Sequence, residues 1–314
     1  MVPSIAVANV SDFYYVHYHN PFKFTKILSI GDVLMPNNPS KLPSSQREEI
    51  MKKKLAKGES IETVDDMSDE YYDHLTNLML QQADSELAGG FGYVPWIMKA
   101  PTTEEMLIVS NIVRDEVRHG RAMYRLLEDT HFGVDDWVEK MDFAFRVEDS
   151  LDLGSKRAAS DKRVNIFYYP IDSWPDFVMF NFLMDRGAGH QLEDVKVSSF
   201  GPWRREIDRI FKEELTHIAH GDYWVKRLAL DPKTKPEIQA ALERWWPRVM
   251  SIFGRPGSKK NKRYCELGIK KRDNNDVRNT FAKEVREKAE PWGLTVPQWI
   301  PDWQKVPEDS VIPG

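Results

Sequence analysis

Two short segments of this sequence pair a carboxylate with an imidazole at the same spacing. RDEVRH contains Glu116 and His119, and KEELTH contains Glu214 and His217. Residues three apart share one face of a helix, so each pair can reach a single ion. A lone Glu-x-x-His is a common accident of charged helices, so what precedes each copy matters more. Glu86 stands 30 residues before Glu116, and Asp185 stands 29 before Glu214. A break at Pro95 to Pro101 lies inside the first interval, whose midpoint is residue 101, and a break at Ser198 to Pro202 straddles the midpoint of the second. In an antiparallel helical hairpin, residues equidistant from the turn sit level, here about 20 Å from it at the α-helical rise. The spacing predicts two hairpins of one design, each with a lone carboxylate on its first helix and Glu-x-x-His at the same height on its second.

Each ionisable group also interrupts an apolar stripe. The stripes run Leu75, Met79, Gln82, Glu86; Ile108, Ile112, Glu116, His119, Met123, Leu127; Val178, Phe182, Asp185, Gly189, Leu192; and Ile207, Phe211, Glu214, His217, Trp224, Leu228. A buried, unpaired carboxylate is strongly destabilising, so four of them call for cations. Glu86, Glu116, His119, Asp185, Glu214 and His217 form a donor set for two hard divalent ions, iron or manganese better than zinc or copper. Ferritin-like four-helix bundles house sites of this composition, and the four carboxylates are the candidate catalytic groups. A ligand histidine donates its second ring N–H to an outer carboxylate, and Asp115 and Glu213 are the candidates, with ordinary surface charge as the alternative.

The elements that must position these residues are helical. Helical periodicity covers roughly 46–57, 67–92, 102–130, 134–147, 174–197, 202–230 and 235–252, and strand-like alternation is scarce. The fold class expected is all-α, a four-helix bundle with flanking helices and irregular N- and C-terminal arms. Its divisions are an N-terminal arm over 1–60, the di-metal bundle over 61–254, and a C-terminal helix with an extended tail over 255–314, packed on the bundle or a partner. Thr102 with Glu105 fits a capping box, and Ser173 before Pro175 and Asp176 marks another helix start. Asp149 to Arg163 reads as an exposed loop, 254–263 as a basic flexible connector, and the Pro- and Trp-rich tail from Pro291 as an extended segment. Glycines gather one turn past the ligands, at Gly89, Gly90, Gly120 and Gly187 to Gly189; room for substrate and dioxygen or close helix packing would each account for them.

Composition removes several classes. The 314 residues are 41% hydrophobic with a formal net charge of −5, which suits a globular body and advertises neither nucleic acid nor an anionic membrane. The single cysteine, Cys265, forms no internal disulfide and holds no iron–sulfur cluster, so redox chemistry would draw its electrons from another protein. No strand precedes Gly187, Gly189, Gly254 or Gly257 to make a phosphate-cradling loop. The start lacks the features of a signal peptide, and Phe177 to Met184 is too short to span a bilayer, so a cytoplasmic protein is expected. Among the remaining histidines, His190 reads as reaching the edge of the site, and His220 as surface, with a place just behind the ligands as the alternative. His17, His19, His74 and His131 lack partners at ligand spacing. Lys259 to Arg263 with Lys270 to Arg272 reads as a solvated loop, with phosphate binding as the alternative.

The sequence resembles the catalytic subunits of the bacterial phenylacetyl-CoA and benzoyl-CoA epoxidase family. The likeness runs from about residue 70 to about 297. It rests on SELAGG around Glu86, RDEVRHG, the SWPDF-to-MDRGAGHQ segment, FGPWRREIDRIFKEELTHIAHG, RWWPRVMSIFGRPGS and EPWGLTVP. The resemblance implies a di-iron monooxygenase that uses dioxygen to epoxidise the ring of an aryl-CoA thioester. It further implies the same six ligands, a reductase component, and a structural subunit or a homo-oligomer as partners. MFNFLMDR is nearer the benzoyl-CoA branch and WGLTVP nearer the phenylacetyl-CoA branch, which leaves the acyl group open. The rival is a ribonucleotide-reductase-like radical-generating protein or another ferritin-like di-metal protein. The radical class places a tyrosine four residues after the first ligand histidine, where this chain has Met123, with Tyr124 one step round the helix.

Overall fold

A computed structural model of the protein describes residues 37–139, 162–299 and Trp303. The described residues are all-α: α1 (Ser44–Ala56), α2 (Asp69–Lys99), α3 (Thr103–Asp129), α4 (Val134–Glu139), α5 (Trp174–Phe180), α6 (Arg186–Val195), α7 (Gly201–Leu230), α8 (Lys235–Met250), α9 (Lys259–Glu266) and α10 (Asn274–Ala289), joined by short 3₁₀ turns. No described helix is long and apolar enough to cross a membrane. The expected arm over 1–36, most of the expected loop after Asp149, and the end of the tail lie outside the described residues.

The first hairpin is α2 against α3. Ser68 caps α2 by accepting from the Tyr71 amide at 3.1 Å, and Thr102 caps α3 by accepting from the Glu105 amide at 3.2 Å. Pro95 lies inside α2, which runs on to Lys99, so the break contracts to the few residues around Pro101. Gly90 and Gly120 let the two helices close up: a Cβ on Gly120 would sit 2.9 Å from Leu87, and one on Gly90 3.1 Å from Val117. The second hairpin sets α5 and α6 against α7. The helix expected over 174–197 is not uniform, because residues Asn181–Asp185 form a π-turn between α5 and α6. Buried Asp176 accepts from Arg244 and from Trp245 Nε1 (2.8 Å), tying α5 to α8.

The segment expected as a basic connector is partly helical: Ser258 caps α9, which begins at Lys259. Beyond it, Val277, Phe281, Val285 and Ala289 of α10 enter the same core as α5 and α8, and Leu294 and Val296 follow them in. Arg163, expected in an exposed loop, is buried with its guanidinium over the Tyr168 ring. On α3 the stripe is drawn one residue early, since Val109 is buried and Ile108 is 38% exposed.

The apolar interior falls into two clusters. One gathers Trp245, Trp246, Phe177 and Phe180 with Ala88, Ile112, Met184 and Trp224; the other gathers Tyr71, Met79 and Ala83 with Met123, Leu192 and Ile210. Along every helix of the two hairpins, the boundary between the clusters falls at Glu86, Glu116, Asp185 or Glu214. The four carboxylates thus form one polar layer across the bundle.

Candidate metal centre

Two imidazoles face each other across this layer, their ring centroids 6.1 Å apart. Glu214 stands between them, with Oε1 3.1 Å from His119 Nδ1 and Oε2 3.6 Å from His217 Nδ1. Glu116 Oε1 lies 3.2 Å from His217 Nδ1, and Glu86 Oε2 lies 3.6 Å from His119 Nδ1. One donor atom from each of Glu86, Glu116, His119 and Glu214 fits within a sphere of ligand-to-ligand distances up to 4.8 Å. Asp185 completes the layer from the π-turn. Its Oδ1 accepts from the Tyr93 hydroxyl at 3.3 Å and its Oδ2 from Asn181 Nδ2 at 3.2 Å.

The electrostatics are those of a site waiting for positive charge. Burial and the neighbouring Glu214 push the Glu116 carboxyl well above the usual range, and the same two causes carry Asp185 to about 8. Burial alone would lower the histidines, but the surrounding carboxylates outweigh it: His119 rises to about 11, and His217 rises further. Burial likewise opposes ionisation of Glu214, yet His217 and His119 hold it down at about 2. Both Nδ1 atoms are buried and make no hydrogen bond despite the nearby oxygens. Imidazole nitrogens and carboxylate oxygens brought this close without a hydrogen bond between them are donors that a cation could engage. Oxygen and imidazole donors suit hard divalent ions, so the residues present fit such a group.

The outer nitrogens point crosswise at carboxylates, and only His119 makes a hydrogen bond there. His119 Nε2 lies 2.7 Å from Glu213 Oε2, and His217 Nε2 faces Asp115 Oδ2 at the looser distance of 3.6 Å. Arg118 reaches both outer carboxylates, at 2.8 Å for Asp115 and 2.9 Å for Glu213. Burial would raise Asp115, but His217, Arg114 and Arg118 lower it to about 2.

A cavity of about 120 Å³ opens against the layer. Glu86, Glu116, Asp185, Glu214 and Tyr93 form one part of its wall; Val164, Phe167, Met184, Leu192 and Val195 form an apolar part; Gln81, Gln82, Gln191 and Lys270 supply polar groups. Trp203 Nε1 donates to Gln82 Oε1 (2.9 Å), and Gln82 Nε2 donates to Glu86 Oε1 (3.1 Å), so the cavity wall also orients Glu86. Tyr93 and Asn181 escaped the sequence reading, though both carried a signal, since Tyr93 is two helical turns from Glu86 and Asn181 one turn from Asp185. Lys270, expected in a solvated loop, lines the cavity instead.

Two expectations fail here, and the open reading of the glycines resolves mostly to packing. His220 is buried, with Nε2 2.9 Å from Glu105 Oε2, so the Glu105 side chain turns inward and leaves the capping box half made. His190 does not border the cavity; its Nε2 lies 2.8 Å from Glu284 Oε2 on α10. Of the glycines, Gly89 and Gly90 abut Glu116, where a Cβ would meet its Oε2 at 3.1 Å and its Cβ at 3.3 Å, while Gly187 and Gly189 pack closely against Ile252 and Ile218.

Residues 45–307 match the model of a family described as phenylacetic acid catabolic protein. The chain belongs to that family. It is 31% identical over 255 residues to one of the subunits of 1,2-phenylacetyl-CoA epoxidase from Escherichia coli (strain K12), an alignment covering 80% of this chain and 77% of that one. It is 27% identical over 159 residues to benzoyl-CoA oxygenase component B of Aromatoleum evansii, covering 51% of this chain but only 32% of the relative. The phenylacetic acid catabolic protein match spans every residue of the polar layer, and the two named relatives are parts of an epoxidase and an oxygenase, so the family's chemistry is that of oxidoreductases.

Proposed function

We propose that this chain is the oxygen-activating component of a di-iron monooxygenase that epoxidises the aromatic ring of an aryl-CoA thioester, phenylacetyl-CoA-like or benzoyl-CoA-like. The observation that carries the reading is the buried carboxylate–imidazole layer at the wall of a cavity of ring size. Glu86 and His119 would hold one ion, Asp185 and His217 the other, with Glu116 and Glu214 between them. When bound, two iron ions (manganese being the alternative) supply reduction of dioxygen with electrons from a separate reductase; one oxygen atom enters the ring and the other leaves as water.

The chain's own residues do the rest. The cavity's 120 Å³ is close to the roughly 150 Å³ of an apolar protein cavity known to admit benzene. Val164, Phe167 and Met184 would hold the ring by its faces while excluding water from the layer. Lys270 lines the same cavity, its ammonium disfavoured by burial, and with Gln81 and Gln191 it offers donors to the thioester carbonyl. Glu213, 2.7 Å from His119 Nε2, would keep that imidazole oriented with Nδ1 inward, and Asp115 stands 3.6 Å from His217 Nε2, where a small shift would let it do the same.

The test is anaerobic Fe(II) loading followed by dioxygen and a reductant in the presence of phenylacetyl-CoA or benzoyl-CoA. The expected result is about two irons per chain and a product heavier by one oxygen; turnover by the metal-free protein would refute the reading. The buried Tyr93 hydroxyl beside Asp185 gives the radical-generating alternative one foothold. A stable tyrosyl signal on oxygenation, with no thioester product, would favour that alternative.

A further inference from the structure

The π-turn that bears Asp185 is gripped by two contacts. Inserting one residue into a helical ladder shifts the amide donors by one and leaves a carbonyl over. The Phe182 carbonyl, inside the π-turn, accepts from Arg186 Nη1, four residues on. The Arg186 side chain is 1% exposed, and the rest of its guanidinium is spent on other elements: Nη2 bonds Asp222 of α7, and Nε bonds Glu284 of α10 at 2.8 Å. Its plane also stacks on the Phe182 ring, 4.5 Å from the centroid. Each anion has a second cationic or imidazole partner, Lys288 for Asp222 at 2.7 Å and His190 for Glu284 at 2.8 Å. Next to Asp222 on α7, Gly221 lies so close that a Cβ there would come within 2.6 Å of the Phe182 backbone nitrogen.

We infer that Arg186, anchored by Asp222 and Glu284, is a positioning residue that holds the π-turn open and thereby fixes Asp185 in the metal layer. The inference rests on the di-metal reading above and adds to it that α10 sets the geometry of one of the two ion sites. Removing the Arg186 guanidinium should let the segment relax toward a regular α-helix, which rotates Asp185 by about 100° per residue shifted and takes its carboxylate away from the layer. Gly221→Ala would press a methyl against the Phe182 backbone in the same turn and should act alike.

The experiment is anaerobic titration of the full chain with Fe(II), comparing the wild type with Arg186→Met, Gly221→Ala, Glu284→Gln, Asp185→Ala and the double variant Arg186→Met/Asp185→Ala. In Arg186→Met and Gly221→Ala, one of the two ions should bind about 10- to 100-fold more weakly with the other unchanged, and Glu284→Gln should show the same pattern more mildly. Adding Arg186→Met to Asp185→Ala should weaken binding no further. Two ions held at wild-type affinity with only a lower Tm, or equal weakening of both ions, would overturn the inference while leaving the metal reading intact. If Arg186→Met does not fold, Gly221→Ala and Glu284→Gln decide on the same criterion. A wild type that takes up no iron would overturn the di-metal reading, and this inference with it.

Discussion

The two hairpins place the same kind of carboxylate at the same height, yet they hold it in different ways. In the first, α2 is regular through Glu86, and that carboxylate is partly exposed on the cavity wall with one hydrogen bond, from Gln82. In the second, Asp185 rides on a π-turn, is buried, and has both oxygens hydrogen-bonded, by Tyr93 and Asn181. A side chain with one partner and open space beside it can change its coordination as substrate or dioxygen arrives; a side chain pinned at both oxygens cannot. The difference assigns adaptability to the Glu86 side and rigidity to the Asp185 side, and π-turns are frequent at sites where a helix must present one residue out of its regular path.

The largest effect should come from removing the group the two sides share. Glu214→Ala takes the carboxylate that lies within 3.1–3.6 Å of both imidazoles, and should abolish binding of both ions and reduce thioester turnover to background while leaving the far-UV circular dichroism near wild type. Elemental analysis of the purified variant checks this; two retained ions would break the comparison at its centre.

Next come the outer carboxylates, which test whether the sides are held unequally. Glu213→Gln loosens a 2.7 Å contact to His119, whereas Asp115→Asn acts across 3.6 Å to His217. Loss of such support typically weakens metal binding about 10- to 100-fold; Glu213→Gln should fall at the upper end of that range and Asp115→Asn at the lower. Competition with a chromophoric chelator measures both, and the reverse order would mean that the 3.6 Å contact is the more important.

Smaller again is the expected effect at the cavity. Lys270→Met should raise KM for the acyl-CoA several-fold with kcat little changed, because Lys270 lines the cavity and would meet parts of the substrate away from the reacting ring. An unchanged KM would remove Lys270 from the substrate's path.

The smallest signal is a proton count. In the metal-free protein His119 has its pKa raised to about 11, so it is cationic at pH 7. A raised histidine stabilises the metal-free fold fully below the unfolded value of about 6.5 and loses that contribution as pH rises through the folded value. A metal needs the neutral ring, so Fe(II) binding at pH 7 should release protons, and affinity should rise with pH between roughly 7 and 11. Calorimetry in two buffers of different ionisation enthalpy reads the release; binding without any would contradict the assignment of His119 as a ligand.

Much of this architecture was legible in the sequence, for physical reasons that also mark where legibility stops. Long amphipathic segments announce helices, and equal spacing about a breaker announces an antiparallel pair, so the hairpins around Pro101 and Ser199 were readable. Ionisable residues on apolar stripes announced the layer. The π-turn was not readable, because nothing in MFNFLMDR departs from helical periodicity; the contacts that meet it, from Arg186 to the Phe182 carbonyl and from Gly221 of α7 against the Phe182 backbone, are tertiary. Pro95 misled because a proline in a helix interior normally ends it, yet here α2 carries it one turn from its end. His220 misled because its partner, Glu105, lies more than a hundred residues away, where no local pattern can show it.

The central claim is that the polar layer between the two apolar clusters is a two-metal site. The most direct test is a crystal structure of the iron-loaded chain with data collected at the iron absorption edge. The account predicts two anomalous peaks within the layer, one beside Glu86 and His119 and one beside Asp185 and His217, with Glu116 and Glu214 between them. No peak in the layer, or iron bound only elsewhere on the chain, would contradict it.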